Sequence, residues 1–424
     1  MLSVEDNLEL CKTGPGTPMG ELFRRFWLPA LLPSELAPDG PPIRFRILNE
    51  DLIAFRDTSG KVGFVAQACP HRGASLFFGR NEEDGLRCVY HGWKFDTSGA
   101  CVDMPSEPAE SNFKTKVRVR AYPSAEWGGL VWIYMGPPEK QPELPQYDWC
   151  LRHQRGEIDP DVHVWKWIQD CNYVQALEGN IDTAHITYLH RRGYTPTIGS
   201  QYGISPDQAP NVQVIPTEFG FAYGGRRTTD DGRYYWRITP YMLPTFSSIP
   251  GPRFNGSGHF LVPRDDNTSW WLVVQPNYKP REGMPPFVEL HPGTWQQTRN
   301  RGNDYLIDRE LQKNLSLAGG TGNYTGLYSN RVEDSAIIES MGYLYDRSRE
   351  HLGTVDGAII YMRRMMLRAA RDLARGIEPE ILKHPDWFAA RPIDVVNAEP
   401  NLLPIWETDR AEYTGQRVAP LPQA

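Results

Sequence analysis

The chain has 424 residues, of which 40% are hydrophobic, 12% aromatic and 23% charged, and its formal net charge is −7. A chain of this length exceeds the size at which single hydrophobic cores usually stop growing, so two domains are expected. The negative charge argues against a nucleic-acid partner, because nucleic-acid binders gain affinity from an excess of Lys and Arg.

No stretch of the sequence predicts a membrane span or a secretion signal. The N-terminal region contains early acidic residues and no apolar core behind a basic start, and no run of about eighteen apolar residues occurs. Six cysteines in so long a chain do not suggest a disulfide framework. We therefore expect a cytoplasmic protein with no membrane partner, whose cysteines bind metal or pack in the core.

The first part of the chain reads as short β-strands. The segments RFRIL, LIAF and VGFVA, which begin at Arg44, are separated by turn sequences, and LVWIYMG continues the pattern. Four prolines between 136 and 146 favour an extended connector. We place a small all-β domain at 26–140, after an N-terminal segment, 1–25, that we expect to pack on the second domain.

The second part, 141–424, mixes helix and strand signals. It contains an amphipathic stretch at 171–189, a predicted hairpin around the DDG at 230–232, strands near 258–275 and an arginine-rich helix at 357–375. Strands and helices do not alternate as in βαβ units. The predicted fold class is therefore α+β, with the small all-β domain followed by a larger domain of antiparallel sheet and helices.

Two Cys/His pairs lie within the first domain, Cys69 with His71 and Cys88 with His91. A zinc site could use such ligands, but a common zinc finger presents two cysteines first and two histidines later. Here each loop can give a thiolate to one iron and an imidazole to the other iron of a [2Fe-2S] cluster. Such a centre accepts electrons from a reductase and passes them on. Zinc, or plain burial of these residues, is the alternative.

The flanks of these pairs, CPHRG and YHGW, resemble the Rieske motif of the ring-hydroxylating, non-haem iron oxygenases. The opening EDNLELCKTGPGTPMGELFRRFWLPALL and the stretch QALEGNIDTAHITYLH resemble oxygenase components of the phthalate dioxygenase type. The resemblance implies a terminal oxygenase with a [2Fe-2S] cluster and a mononuclear Fe(II). It would use O2, and electrons from NAD(P)H through a separate reductase, to hydroxylate an aromatic substrate, in this type a carboxylate.

Candidate ligands for a second metal lie in the stretch 171–189 and just beyond it. His185 shares a helical face with Asp182, whereas His190 lies about 140° further round an ideal helix. Both histidines can bind one metal only if the helix ends or distorts between them, and LHRRGYTP supplies such an ending. Two imidazoles and one carboxylate leave positions open on Fe(II) for dioxygen beside the substrate.

The resemblance implies that the carboxylate comes from a downstream E-D-x-x-x-x-E segment. NRVEDSAIIESMG, at 330–342, matches it, so Asp334 is the predicted ligand and Glu333 and Glu339 are its rivals. The alternative for Asp334 is a helix N-cap or a first-turn acid.

Asp182 is predicted to bridge rather than to bind metal, because it precedes His185 by three residues and can accept its ring N–H. The resemblance places this aspartate between the mononuclear iron and a cluster histidine of the neighbouring subunit. That arrangement implies a closed head-to-tail ring, a trimer or a dimer of trimers. A solvated helix acid is the alternative.

Several functional alternatives stay open at this point. They are a noncatalytic Rieske electron carrier, a zinc-stabilised binding module, and a monooxygenase or demethylase acting on an alkyl, ether or ammonium group. A carboxylate substrate would need an arginine or comparable donors. The candidate arginines are Arg191, Arg192, Arg226, Arg227, Arg237 and Arg253. Of these, Arg226 and Arg227 flank the predicted hairpin turn, where arginines are usually solvated.

Overall fold

The computed structural model describes residues 2–157, 162–191, 207–250, 257–276, 278, 286–316, 319–320 and 322–414. Two short helices open the chain, α1 (Val4–Cys11) and α2 (Pro18–Arg24). Each begins at a hydroxyl N-cap, because the side chains of Ser3 and Thr17 accept backbone N–H groups of the first turn.

The predicted short strands form three small antiparallel sheets. The strands are β1 (Trp27–Leu31), β2 (Ile43–Ile47), β3 (Glu50–Arg56), β4 (Val62–Ala66), β5 (Arg80–Glu82), β6 (Gly85–Arg87), β7 (Lys94–Phe95), β8 (Cys101–Asp103), β9 (Ala121–Tyr122), β10 (Ser124–Trp127) and β11 (Leu130–Tyr134). Their orders are β1-β11-β10, β2-β3-β4-β9 and β5-β6-β7-β8. A separate hydrophobic core between the last two sheets encloses Cys69 and Cys88.

The larger part is built on one antiparallel sheet flanked by helices. Its elements are α3 (Asp148–Gln154), β12 (His163–Gln169), α4 (Tyr173–Ile181), β13 (Asn211–Thr217), β14 (Gly220–Thr228), β15 (Tyr234–Met242), β16 (Phe246–Ile249), β17 (Ser257–Pro263), β18 (Ser269–Gln275), α5 (Arg309–Lys313), β19 (Leu315–Ser316), β20 (Gly319–Gly320), α6 (Asn330–Ser340), α7 (Gly357–Ala374), β21 (Ile393–Asn397) and α8 (Leu402–Thr414).

The sheet order is β12-β18-β17-β16-β15-β14-β13, and β21 pairs with β15. The predicted hairpin is β14–β15, whose turn closes where the Gly232 N–H donates to the Thr229 carbonyl. The predicted strands near 258–275 are β17 and β18, and the arginine-rich helix is α7. The predicted α+β fold class, an all-β domain followed by a sheet-and-helix domain, is therefore confirmed.

The N-terminal helices pack on the larger part. The Tyr173 hydroxyl at the start of α4 donates to the Leu10 carbonyl over 2.7 Å. Arg371 of α7 forms ion pairs with Asp6 and Glu9 of α1. Among the described residues, no helix combines the length and the apolar composition that a bilayer crossing requires.

Candidate metal centres

The two Cys/His pairs lie in two loops of matching geometry. The Gly73 N–H donates to the Cys69 carbonyl over 2.8 Å, and the Gly92 N–H donates to the Cys88 carbonyl over 2.9 Å. Both glycines have left-handed backbones, with φ of 77° and 78°, which only glycine adopts at little cost. Each loop therefore reverses direction through a hydrogen bond to its own cysteine, and its histidine lies within that turn.

The cysteine thiols lie in the core of the domain, and the histidine imidazoles lie nearer its surface. Cys69 and Cys88 are buried, whereas His71 and His91 are half-buried. The two imidazole rings are 4.3 Å apart between centroids, and the His71 ring stacks on Trp93 at 4.4 Å. The Nδ1 of His91 is buried without a hydrogen-bond partner among the described residues.

This donor set fits a [2Fe-2S] cluster. Two thiols and two imidazoles converge from two loops, and a buried imidazole nitrogen without a partner is the atom that a metal would satisfy. Burial raises the pKa of Cys69 to about 11, so metal binding must displace its proton. The interleaved pairing distinguishes the set from a common zinc finger.

A second convergence lies between α4 and α6. Ligand atoms of His185, His190 and Asp334 all lie within 4.8 Å of one another. The Asp334 Oδ1 lies 3.7 Å from Nε2 of His185 and 3.2 Å from Nε2 of His190. The imidazole planes are nearly perpendicular, at 83°. Two imidazole nitrogens and one carboxylate oxygen therefore face one point, which fits a mononuclear Fe(II) with open positions.

Each imidazole also has a carboxylate at its other nitrogen. The Nδ1 of His190 lies 2.8 Å from Glu333 Oε2, and the Nδ1 of His185 lies 3.5 Å from Asp182 Oδ2 without good hydrogen-bond alignment. Such carboxylates fix which ring nitrogen faces the metal and orient the ring. The Nε2 atoms are thereby left for a metal.

The rivals of Asp334 have other partners. Glu333 is fully buried, accepts one hydrogen bond from the Thr325 hydroxyl and lies against His190. Glu339 accepts from the Gln169 amide over 2.6 Å and from the Tyr305 hydroxyl. The N-cap of α6 is Ser329, so Asp334 does not begin the helix. The geometry favours Asp334 as the ligand.

The electrostatics of this cluster hold Asp334 as a carboxylate. Burial would raise the pKa of Asp334, but the charges of His190, Arg331 and His185 outweigh burial and hold it well below its usual range. Burial likewise acts to lower the pKa of His190, but Asp334 and Glu333 raise it to about 9.

The predicted helix over 171–189 is too long. Helix α4 ends at Ile181, and Asp182 adopts an extended backbone. The Asp182 Oδ1 accepts the Ala184 N–H over 2.6 Å, an Asx turn that competes with the helix. A short 3-10 turn, His185–Thr187, follows. The helix therefore ends before His185, not between His185 and His190 as expected.

Asp182 lies beside the three predicted iron ligands and not among them. Its side chain is 24% exposed and does not share the point at which His185, His190 and Asp334 meet. Burial would raise the pKa of Asp182, but the His185 imidazole and backbone N–H groups lower it overall. The residue is therefore an anion that contacts His185 from outside.

Sequence reasoning missed Arg331. Its Nη1 lies 3.2 Å from Asp334 Oδ2, and its guanidinium lies over the rings of Trp271 and Phe287 at 4.7 and 4.9 Å. Asp334 therefore has one oxygen facing the histidines and the other facing a buried cation. The i,i+3 spacing of Arg331 and Asp334 on α6 was a signal that could have found it.

The candidate substrate arginines have different environments. Arg226 is half-buried rather than fully solvated, donates to the Pro400 carbonyl over 2.7 Å and lies over the Tyr234 ring. Arg227 is fully buried, so the expectation that it is solvated is wrong. Arg191 and Arg237 are also buried. The remaining candidates, Arg192 and Arg253, lie outside the described residues.

Family models match both parts of the chain. Residues 26–123 match the Rieske [2Fe-2S] domain, and residues 133–385 match the LigXa C-terminal domain like family. The chain is 40% identical to the phthalate 4,5-dioxygenase oxygenase subunit of Pseudomonas putida, over 87% of this chain and 86% of that protein. It is 37% identical to the 3-chlorobenzoate-3,4-dioxygenase oxygenase subunit of Comamonas testosteroni, over 88% and 89%.

Further relatives extend the range of chemistry. The 5,5'-dehydrodivanillate O-demethylase oxygenase subunit of Sphingobium sp. (strain NBRC 103272 / SYK-6) is 30% identical, over 94% of this chain and 88% of that protein. The crystal structure of dicamba monooxygenase bound to dicamba shares the fold, with a TM-score of 0.56 and 20% identity, over 83% of this chain and 98% of that chain.

These matches cover the two parts in which the two metal centres were described. The chain belongs to the family of Rieske-type oxygenase subunits with a LigXa-like C-terminal domain. It is an oxidoreductase whose cofactors are a [2Fe-2S] cluster and a mononuclear iron, with O2 as cosubstrate and NAD(P)H as the electron source through a reductase.

Proposed function

We propose that this terminal oxygenase hydroxylates a small aromatic carboxylate. The observation that carries the proposal is the joint presence in one chain of a Cys/His pair of loops and of the convergence of His185, His190 and Asp334. A noncatalytic electron carrier needs only the first centre. The relatives named for phthalate and 3-chlorobenzoate support an aromatic acid as substrate.

The proposed residue roles follow from the two donor sets. Cys69, His71, Cys88 and His91 hold the cluster, and His185, His190 and Asp334 hold the mononuclear iron. The bound metals supply electron transfer and dioxygen activation. The chain's own contribution is to orient the ligands and to position the substrate beside the open side of the iron site.

Asp182 is proposed as the bridge between centres of neighbouring subunits. Its side chain is 24% exposed, and its Oδ2 lies 3.5 Å from Nδ1 of His185. On the other side, the cluster loops carry exposed apolar side chains, Val89 and Tyr90, beside half-buried His91. These features support a head-to-tail ring, a trimer or a dimer of trimers.

An electron-transfer partner follows from the oxygenase-subunit family. We propose a reductase component that receives electrons from NAD(P)H and docks near the cluster loops, and we propose the cytoplasm as the location. We also propose that residues 26–140 form the cluster domain and 141–424 the catalytic domain, on which residues 1–25 pack. The contacts of α1 with α7 support the last point.

A second candidate is monooxygenation or O-demethylation of an aromatic acid. The relative named as an O-demethylase subunit, at 30% identity over most of both chains, favours it. The products differ, because ring dihydroxylation adds two oxygen atoms to the ring whereas demethylation releases the methyl carbon as an aldehyde.

The test is oxygen uptake with a compatible reductase and NADH across benzoates, phthalates and methoxy or phenoxy acids, with products identified by mass spectrometry. We expect uptake coupled to hydroxylation of at least one aromatic acid. Coupling only to neutral or cationic compounds would contradict the carboxylate proposal. Absence of coupled uptake in protein that holds both metal centres would contradict the oxygenase assignment of this site.

A further inference from the structure

A buried ion pair joins the proposed cluster domain to the proposed catalytic domain. The Nζ of Lys166, on β12, lies 2.8 Å from Oε1 of Glu35 and 3.1 Å from its Oε2. Lys166 lies in the range that matches the LigXa-like family, and Glu35 lies in the range that matches the Rieske domain. The lysine side chain is 0% exposed and the glutamate side chain is 9% exposed. The pair is therefore a charged contact between the domains that is largely shielded from water.

Aromatic rings from both domains enclose the ammonium group of Lys166. Its Nζ lies 4.6 Å from the ring centroid of Trp270, 4.7 Å from that of Trp295 and 5.4 Å from that of Phe45. Phe45 of β2 stacks on Trp270 of β18 at 5.6 Å. Burial lowers the pKa of Lys166 below its ordinary value, although Glu35 acts to raise it. One carboxylate and three ring faces thus stabilise the buried cation.

The strands that carry this aromatic cage also contact the proposed iron site. Side chains alternate between the two faces of a strand. On β12 and β18, Lys166 and Trp270 share the face toward the cluster domain. Trp167 and Trp271 stack on each other at 5.2 Å on the opposite face, and the guanidinium of Arg331 lies over both rings, at 5.4 and 4.7 Å. One pair of strands therefore contacts the cluster domain on one face and the iron-site arginine on the other.

The sheet of β2, β3 and β4 connects the cage to the cluster loops. Leu52 of β3 lies in the large core together with Phe45. Ile53 and Phe55 of the same strand lie in the small core that encloses the two cluster cysteines. Packed layers therefore connect the cluster core, through this sheet and the Lys166 cage, to the strands beside the iron site.

A second contact between the domains lies at the turn that joins β17 to β18. The Asn49 N–H, in the turn between β2 and β3, donates to the Arg264 carbonyl over 3.2 Å. Lys166 pairs with Leu272, three residues beyond the start of β18 at Ser269, or about 10 Å along the strand. Two contacts at separate points oppose a rotation of the cluster domain that either contact alone would permit.

We propose that Lys166 is a positioning residue, whose ion pair with Glu35 holds the cluster at a fixed distance from the iron site that receives its electrons. The inference rests on the proposed function. A buried ion pair adds little net stability relative to apolar packing, but it can select one arrangement of two surfaces. The ring faces around Lys166 give attraction without direction, whereas the ion pair defines one register. A misplacement of about 1 Å is enough to slow a reaction between positioned groups.

The test uses the double variant Lys166→Met, Glu35→Gln, which leaves no unpaired buried charge and should therefore fold like the wild type. A single turnover from the pre-reduced cluster, without reductase, should transfer electrons to the iron site about 10-fold more slowly. Iron content, the visible spectrum and the reduction potential of the cluster should stay those of the wild type. Lys313→Met removes an exposed lysine paired with Glu310 and is the matched control, with the wild-type rate expected.

A distance measurement separates positioning from stability. A nitroxide at Glu380→Cys, an exposed position of the catalytic domain, can be attached selectively because the six native cysteines are buried. Pulsed EPR gives its distance to the reduced cluster. Labelled chains are diluted into unlabelled Cys88→Ala chains, which lack the cluster, so the distance is that within one chain. We expect a broader distance distribution in the Lys166 and Glu35 double variant than in the protein with both native residues.

The outcomes separate this inference from the proposed function. A wild-type transfer rate in the double variant, or a distance distribution as narrow as that of the wild type, would overturn the inference and leave the proposed function intact. If the double variant lost a metal centre, Glu35→Gln alone, which keeps an amide oxygen beside Lys166, would decide by the same two measurements. If the wild type formed no product from any aromatic acid, the proposed function would be wrong, and the distance distributions would still show whether the ion pair fixes the cluster domain.

Discussion

At the scale of single residues, carboxylate groups flank both histidines of the proposed iron site. His185 and His190 face Asp334 through one ring nitrogen and face Asp182 and Glu333 through the other. In each imidazole a carboxylate lies at Nδ1, so Nε2 is the nitrogen that is available to bind a metal. The ligands are therefore oriented by their neighbours in the fold before any metal binds.

Replacing His185 by alanine removes one imidazole ligand from the proposed mononuclear site. We expect iron content to fall from about three to about two per chain, with the visible and reduced-state EPR signals of the cluster unchanged. His384→Ala is the matched control, because His384 lies at the surface against Trp387. Full iron content in His185→Ala would contradict the ligand assignment.

Arg331→Met removes the cation that faces the outer oxygen of Asp334 and keeps a long side chain among the aromatic rings. Without Arg331 the carboxylate is free to rotate, so we expect the mononuclear site to bind iron about 10- to 100-fold more weakly. Competition with a chelator measures this change, and the cluster spectrum serves as the internal control. Unchanged retention would show that Arg331 does not position Asp334.

At the scale of elements, the end of α4 places the site. The helix stops at Ile181, so Asp182, His185 and His190 lie on an irregular segment rather than on a helical face. Inside the helix, the side chain of Glu178 is 12% exposed and accepts hydrogen bonds from Arg347 over 2.7 Å and from Arg363 over 2.6 Å. These arginines tie α4 to α7 and to the segment after α6.

Glu178→Gln tests how much these ion pairs stabilise the fold. Removing the anion leaves the buried Arg347 without an ion pair, while Arg363 keeps Glu350, so we expect the free energy of unfolding to fall by about 3 kcal/mol. Thermal unfolding at neutral pH measures the loss. Glu380→Gln is the matched control, because Glu380 pairs with Lys383 at the exposed surface and should change stability little. Equal melting temperatures for the wild type and Glu178→Gln would show that the ion pairs of Glu178 do not stabilise the fold.

The pH dependence has a definite sign. Burial would raise the pKa of Glu178, but Arg347 and Arg363 outweigh it and hold the pKa below its ordinary value of 4.5. A lowered carboxyl pKa stabilises the fold above the ordinary value, and this stabilisation is lost as pH falls through the lowered one. The stability difference between the wild type and Glu178→Gln should therefore shrink below pH 4.5.

The sequence predicted the elements whose signals are local. Alternating strands, the DDG turn and the Cys/His spacing are each encoded within a few residues, and the structure has the strands and the turn where they were expected. The length of α4 was overestimated, because hydrophobic periodicity continues past Ile181 while the Asp182 side chain captures the Ala184 N–H. Periodicity does not report such a turn.

Contacts between distant segments were beyond sequence reasoning. The i,i+3 spacing could have paired Arg331 with Asp334, but the rings of Trp271 and Phe287 beside Arg331 come from distant parts of the chain. The Thr183 carbonyl that accepts from buried Arg227 is equally distant in sequence. A residue near a hairpin turn is usually solvated, and only the fold shows that this one is not. The metal-ligand assignments stay predictions that the experiments above and below test. The domain boundaries, inferred from the strand patterns and the proline-rich connector, stay predictions as well.

At the scale of the whole molecule, the two proposed centres belong to different cores. The cluster loops surround a small core of their own, whereas the second site lies on the large core of the sheet and helices. We propose that the electron path runs from the cluster of one subunit to Asp182 of the next, and the partial exposure of Asp182 is compatible with such a path. A ring of subunits follows from that path.

Mixed rings test transfer between subunits. Cys88→Ala keeps the iron site without a cluster, and Asp334→Ala keeps the cluster without a competent iron site, so neither should be active alone. In random mixtures an intact donor meets an intact acceptor at roughly a quarter of the junctions, so about a quarter of wild-type activity per chain is expected. Mixed rings that stay inactive, although each variant holds its remaining metal, would favour transfer within one chain.

A single turnover without reductase tests most directly whether the cluster supplies electrons to an oxygenase iron site in this protein. Wild-type protein with its cluster reduced in advance is mixed with dioxygen and an aromatic acid, and cluster oxidation and product are followed together. We expect hydroxylated product to form as the cluster oxidises, and neither event at that rate in His185→Ala. Cluster oxidation as fast in His185→Ala as in the wild type, or oxidation with no product from any aromatic acid, would contradict it.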